Sequence, residues 1–178
     1  MIVKFKKNAG KSNRLFVVCP FSFTESVLRE KYGEDLYFLS CSGAVLSYSD
    51  PVYLKAIGEF LISKEIKSIN FVHDTSCRFI NGAIRKAAKF GLHAESLIEE
   101  VYQAHFEEVF KGLPLSDRQY KLAEHLINRQ VRDLLNAEYL GGLLLDAGIE
   151  VKGLITSRQR VFFEDVQLYR NQRLIHEC

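Results

Sequence analysis

The stretch that most constrains the fold runs from Lys67 to Ile84, KSINFVHDTSCRFINGAI. Ile69-Asn70-Phe71-Val72 reads as a buried strand. It passes directly into His73, Asp74 and Cys77, and then into a helix starting near Arg78 or Phe79. In an open parallel sheet the crevice lies beyond the carboxyl ends of the strands, so polar groups at a strand's last residue and in the next helical turn point into it. A second apolar run, Leu15-Phe16-Val17-Val18, ends in Cys19-Pro20. If the two strands are neighbours, Cys19 and Cys77 converge.

The rest of the chain repeats this rhythm of short β-rich runs and longer helical patterns, which predicts βαβ units and a parallel sheet. Thr24 is placed to cap a helix that Gly33 ends, and Asp35 to Cys41 reads as a strand broken by Ser42-Gly43. Asp50-Pro51 opens a helix with Leu54, Ile57 and Leu61 on one face. After the organising strand, Ile80, Ile84, Ala87 and Ala88 are expected to face inward on a helix that lasts until Gly91. A helical pattern from His93 to Phe110 is stopped by Gly112-Leu113-Pro114. A long helix then begins at Ser116 or Asp117, with Ala123, Ile127, Val131 and Leu134 on one face. Gly141-Gly142 and Gly148 bracket the apolar piece Leu143-Leu144-Leu145. Two closing strands, Ile149 to Thr156 and Arg160 to Leu168, are joined by Ser157-Arg158-Gln159. The expected architecture is a single α/β domain over 1–178, three-layered, with a mainly parallel sheet flanked by helices.

Composition narrows the function. At 178 residues the chain is long enough to bury a core without disulfides. A net charge of +2 is too weak a field to argue for nucleic acid. Lys4, Lys6, Lys7, Lys11 and Arg14 make a basic amino-terminal segment, and residues 1–13 are expected to form a solvated arm. No apolar run reaches the roughly 18 residues of a membrane span, and charge follows Met1-Ile2-Val3 at once, so a soluble cytoplasmic protein is expected. In that setting Cys19, Cys41, Cys77 and Cys178 read as thiols or ligands.

Strands ending in Cys19 and in His73-Asp74-Thr75-Ser76-Cys77 give the sequence a resemblance to the β-class carbonic anhydrases. There the first strand ends in Cys-x-Asp-Ser-Arg and the third in Gly-His-x-x-Cys. DLYFLSCSGAV at 35–45 resembles that family's strand and glycine turn, Leu126-Ile127-Asn128-Arg129-Gln130-Val131 stands where the family has an Asn-Val-x-x-Gln-Val pattern, and Gly148 to Gly153 is similar to its closing strand. The resemblance covers about residues 14 to 168. It implies a zinc cofactor on Cys19, Cys77 and either Asp74 or His73, a homodimer or higher homo-oligomer, and a last strand that runs antiparallel at one edge.

The departures bear on activity. Phe21 stands at the family's aspartate and Phe23 at its arginine, the pair that orients the zinc-bound water; with Gly43 they are expected to line the pocket. Aligned without a gap, Asp74 falls on the ligand histidine and His73 on the preceding glycine; a one-residue bulge would restore His73. The core alternative is that the cysteines are buried apolar groups and that Asp74, Thr75 or Ser76 caps the next helix. The expectation is a carbonic-anhydrase-like protein without efficient carbon dioxide hydration and with no assigned catalytic residue, possessing either a zinc site or no metal, and serving in the second case as a homodimeric binding protein. Its partners would be another copy and a small ligand, with no nucleic acid and no membrane.

Other signals are weaker. Gly10-Lys11-Ser12 looks like the end of a phosphate loop but precedes a strand instead of following one. His93, His105 and His125 read as isolated helical histidines. Glu99-Glu100, Glu107-Glu108 and Glu164-Asp165 are adjacent pairs whose side chains diverge. Redox use of Cys19 and Cys77 would need them close together with one thiol of lowered pKa.

Overall fold

The computed structural model describes residues 13–157 and 162–166. Its strands are β1 (Arg14–Val18), β2 (Leu36–Ser40), β3 (Ser68–Asp74), β4 (Glu150–Ser157) and β5 (Phe162–Val166). They form one sheet in the order β2-β1-β3-β4-β5, with β1 to β4 parallel and β5 antiparallel at the edge. The helices are α1 (Glu25–Tyr32), α2 (Pro51–Ser63), α3 (Arg78–Arg85), α4 (His93–Ala104), α5 (Leu115–Asn136) and α6 (Glu138–Asp146). This is the expected three-layer α/β arrangement. The chain leaves β1 for β2 on one side and returns to β3 on the other, so the order reverses between β1 and β3. A crevice opens at such a reversal, at the carboxyl ends of the strands.

Side-chain alternation along the strands divides the core between the two faces of the sheet. Leu15, Val17, Ile69, Phe71 and Ile155 face the larger cluster, which takes Leu54, Ile57 and Leu61 from α2 and Leu122, Ala123, Leu126, Ile127, Val131 and Leu134 from α5. Phe16, Val18, Val72 and Leu154 point the other way, toward Leu28 of α1. Each fully buried leucine contributes about 1.5–3 kcal/mol. The larger face therefore dominates stability.

Several local expectations hold for the reasons given. Asp50 caps α2, accepting from the N–H groups of Val52 and Tyr53 at 2.9 and 3.2 Å, with Pro51 in the first turn. Pro114 sits just before α5, whose apolar stripe is buried. Other expectations change. Thr24 precedes α1 but its backbone is already helical, so its hydroxyl caps nothing and Oγ1 is buried without a partner. Lys86 adopts a left-handed φ of 53° and ends α3 early, which leaves Ala87 and Ala88 exposed rather than inward. The helical stretch from His93 closes in a π-helical turn, Phe106–Phe110. Gly141 and Gly142 lie inside α6, where a Cβ on Gly141 would come within 2.2 Å of the Leu135 carbonyl oxygen. The basic arm up to residue 12, the turn residues 158–161 and Cys178 lie outside the described residues. Among the described residues no helix is long and apolar enough to cross a membrane.

Candidate functional site

Cys19 follows the last residue of β1, and Cys77 precedes the first residue of α3. Because β1 and β3 are neighbours, the two meet: the Cys77 thiol is hydrogen-bonded to the Cys19 sulfur, and both residues are only 3% exposed. The Cys77 bond is the largest influence on Cys19 and lowers its pKa. Burial works against it, and backbone groups of Phe21, Gly43 and Ala44 assist, so the Cys19 pKa comes down to about 7. Cys77 is pushed up, first by its bond to Cys19 and then by burial. Cys19 is therefore the thiol of the pair that ionises first. Ser22 donates twice to the Cys19 carbonyl, from N at 3.0 Å and Oγ at 2.7 Å. Asn81 does the same for the Cys77 carbonyl, from N and Nδ2, both at 3.0 Å.

The ligand alternatives separate along β3. Its ladder with β4 is unbroken, Val72 against Leu154, His73 against Ile155 and Asp74 against Thr156, so there is no bulge to bring His73 forward. Alternation sends His73 to the face of Ile69 and Phe71 and Asp74 to the face of Val72. His73 is 2% exposed, its Nε2 has no partner, and burial holds its pKa down at about 4, so the imidazole is neutral. Asp74 is equally buried. Its Oδ1 accepts from the Ser76 N–H at 2.8 Å and from the Ser76 hydroxyl, and its Oδ2 accepts from the Thr156 hydroxyl at 2.7 Å. It closes a turn onto Ser76 instead of capping α3, whose first flanking residue is Cys77.

Zinc takes about four tetrahedral ligands, at least three of them from the protein in a catalytic site. Among the described residues no three His, Cys, Asp or Glu side chains converge to hold a metal ion. Cys19 and Cys77 alone are brought together, and the Asp74 carboxylate is directed to Ser76 and Thr156. This arrangement does not fit a complete zinc site.

Around the thiols, Gly43 is buried with a φ of 63°, and a Cβ there would come within 2.8 Å of Ile98 Cδ1. Phe21 stands edge-on to Phe79, with ring centroids 5.6 Å apart. Phe21 and Phe23 are 49% and 64% exposed, and Phe23 carries a left-handed φ of 53°. Cys41 is half-buried beside the Tyr53 hydroxyl at 3.9 Å. His105 and His125 are not isolated, since their rings stack at 4.4 Å between the end of α4 and α5. Glu99 and Glu100 diverge, to Lys89 and to Arg129 respectively. Of the residues that hold the corner, Ser76 reads from sequence only as a rival helix cap, and Asn81 and Thr156 escape the sequence reading. An Asp followed two residues later by Ser is the signal of an Asx turn; nothing local marks Thr156.

No protein-family profile matches the sequence, and no curated protein does. Solved structures do match. The β-carbonic anhydrase CafA of Aspergillus fumigatus superposes with a TM-score of 0.74 at 18% identity, over 88% of this chain and 76% of that one. The wild-type β-carbonic anhydrase CafD of the same fungus gives 0.73 at 16% identity, over 93% and 95%. A Coccomyxa β-carbonic anhydrase in complex with acetazolamide gives 0.71 at 15% identity, over 89% and 73%. Sheet order, the antiparallel edge and these superpositions together establish that the chain has the β-carbonic-anhydrase fold.

Proposed function

We propose that the chain is a β-carbonic-anhydrase-like protein that does not hydrate carbon dioxide efficiently and keeps its strand-end corner as a thiol pair rather than a working metal centre. The observation that carries this reading is the engagement of Asp74. It stands where the resemblance puts the ligand histidine, and its oxygens accept three hydrogen bonds from Ser76 and Thr156. Reaching a metal beside Cys19 and Cys77 would require giving these up. Metal-assisted hydration also needs a polar partner to orient the attacking water, and exposed Phe21 and Phe23 occupy the positions where the resemblance puts that partner.

The test is metal content per chain by elemental analysis, on untagged protein purified without added metal, beside Cys19→Ser and Cys77→Ser, together with stopped-flow hydration. Zinc well below one per chain and a hydration rate equal to buffer support the proposal. Stoichiometric zinc lost in both variants, with a hydration rate abolished by Cys77→Ser, would overturn it.

A binding scaffold built from two or more copies is the second reading, favoured by β2. Its sequence, LYFLS, contains neither the lysine nor the proline that protects edge strands, and among the described residues nothing pairs with its outer side. Light scattering should return a dimer or larger mass; a monomer throughout the micromolar range would remove this reading.

A further inference from the structure

Two cavities open along α3, on the far side of the residues that hold the thiol corner. The larger, about 410 Å³, lies at the first turn of α5 and is lined by Ser76, Asn81, Arg85, Leu115, Ser116 and Gln119. The smaller, about 290 Å³, continues past α3 toward α4 and shares Ser76, Asn81 and Arg85 with it. Volumes of this size suit small-molecule ligands. The larger cavity has no carboxylate in its wall: one guanidinium, two hydroxyls, two amides and one leucine make up the lining.

Arg85 is the one charged residue common to both cavities, and among the described residues its side chain makes no hydrogen bond or ion pair. The carboxylates of the smaller cavity are already engaged. Glu99 pairs with Lys89, and Glu95 accepts from the backbone N–H groups of Phe90 and Leu92. Arg78, by contrast, lies over the Phe90 ring at 3.7 Å. The local positive charge is therefore uncompensated at Arg85. Both wall hydroxyls are committed, Ser76 to Asp74 and Ser116 to the Asp117 carboxylate at 3.1 Å, whereas the amides of Asn81 and Gln119 each make one donation and keep a second N–H. A guanidinium beside amide donors is the chemistry that recognises an oxyanion, because its fork can donate two parallel N–H bonds.

We propose that Arg85 anchors a small organic anion, carboxylate or phosphate, in the cavity between α3 and the start of α5. The occupant meets groups that also support the thiol corner. Ser76 donates to Asp74. Asn81 donates to the Cys77 carbonyl and accepts from Gln119 at 2.6 Å. The inference is independent of whether the corner binds zinc or hydrates carbon dioxide.

The experiment is a titration of the full chain with inorganic phosphate and, separately, with succinate, at constant ionic strength. Binding is followed by backbone and side-chain amide NMR shifts of Ser76, Asn81 and Gln119. Saturable shifts at these residues are expected with at least one probe, weakened about tenfold or more in Arg85→Gln, the scale of a lost charged hydrogen bond. The control Lys55→Gln, on exposed α2, should bind as the parent does. Response to phosphate alone identifies a phosphate ligand, to succinate alone a carboxylate, and to both the shared oxyanion chemistry. No saturable shift with either probe, equal binding by Arg85→Gln, or an equal loss in Lys55→Gln would overturn the proposal. Amide spectra of each variant establish that it is folded.

Discussion

The core beneath α5 and the carboxyl edge of the sheet are built on opposite terms. Beneath α5 most buried side chains are apolar; Gln130 is a polar exception on the helix, its Oε1 accepting from the Leu46 N–H at 2.9 Å and its Nε2 left without a partner. At the carboxyl edge, polar burial is concentrated: Ser22 and Thr24 after β1, His73 and Asp74 at the end of β3, Thr156 and Ser157 at the end of β4. Thr24 Oγ1 and His73 Nε2 are left there without partners. Burying an unpaired polar group costs stability, so an apolar set would serve packing better at this edge. The difference teaches that the corner is retained for something other than stability, while the α5 side supplies the stability that tolerates it.

The comparison can be broken most forcefully from the core. Phe71→Ala, under α5, should lower the unfolding free energy by about 3–5 kcal/mol in urea melts. A loss below about 1 kcal/mol would mean that the larger face does not dominate.

Nearly as large an effect should come from pH at the other region. The folded pKa of His73 lies at about 4, below its ordinary 6.5, so between these values the unfolded chain binds a proton that the native imidazole does not. Stability is then full above 6.5, falls as pH drops, and levels off below about 4, with about 3 kcal/mol lost in all. His73→Leu should flatten that part of the profile; an unchanged slope would assign it to other groups.

A smaller loss, about 2 kcal/mol, is expected for Asp74→Ala, which strands the Ser76 N–H and the Thr156 hydroxyl. Combined with Thr156→Val the second loss should be less than additive, since the two side chains share one bond. Additive losses would dissolve the carboxylate cluster as a unit. The smallest effect concerns ionisation alone. Cys77→Val removes the thiol that donates to Cys19, so the Cys19 pKa should move up from about 7. Thiolate absorbance in the ultraviolet against pH reads this directly, and an unmoved midpoint would mean that the backbone groups of Phe21, Gly43 and Ala44 suffice.

How much of the molecule was legible from its residues follows the range of the interactions involved. Asp50-Pro51, the stripe from Ala123 to Leu134 and the runs Leu15–Val18 and Ile69–Val72 each carry their signal within a few residues, and each forms the expected element. Convergence of Cys19 with Cys77 was legible conditionally, because it needed only that two strands be neighbours. The choice between His73 and Asp74 was not, because it rests on the ladder with β4 and on Thr156, 82 residues away. The stacking of His105 on His125 and the early end of α3 at Lys86 are equally invisible to periodicity. One depends on how two helices cross, the other on a single left-handed backbone.

The sequence by itself determined the alternation of strands and helices, the apolar faces that bury them, and the arrival of two cysteines at strand ends, because these follow from local periodicity and chain order. Only the tertiary structure decided that Asp74 turns to Ser76 and Thr156, that His73 faces the core, and that Arg85 stands over a cavity. Hydrogen-bond partners for a buried group are chosen by whatever the fold brings beside it, and no local pattern encodes that.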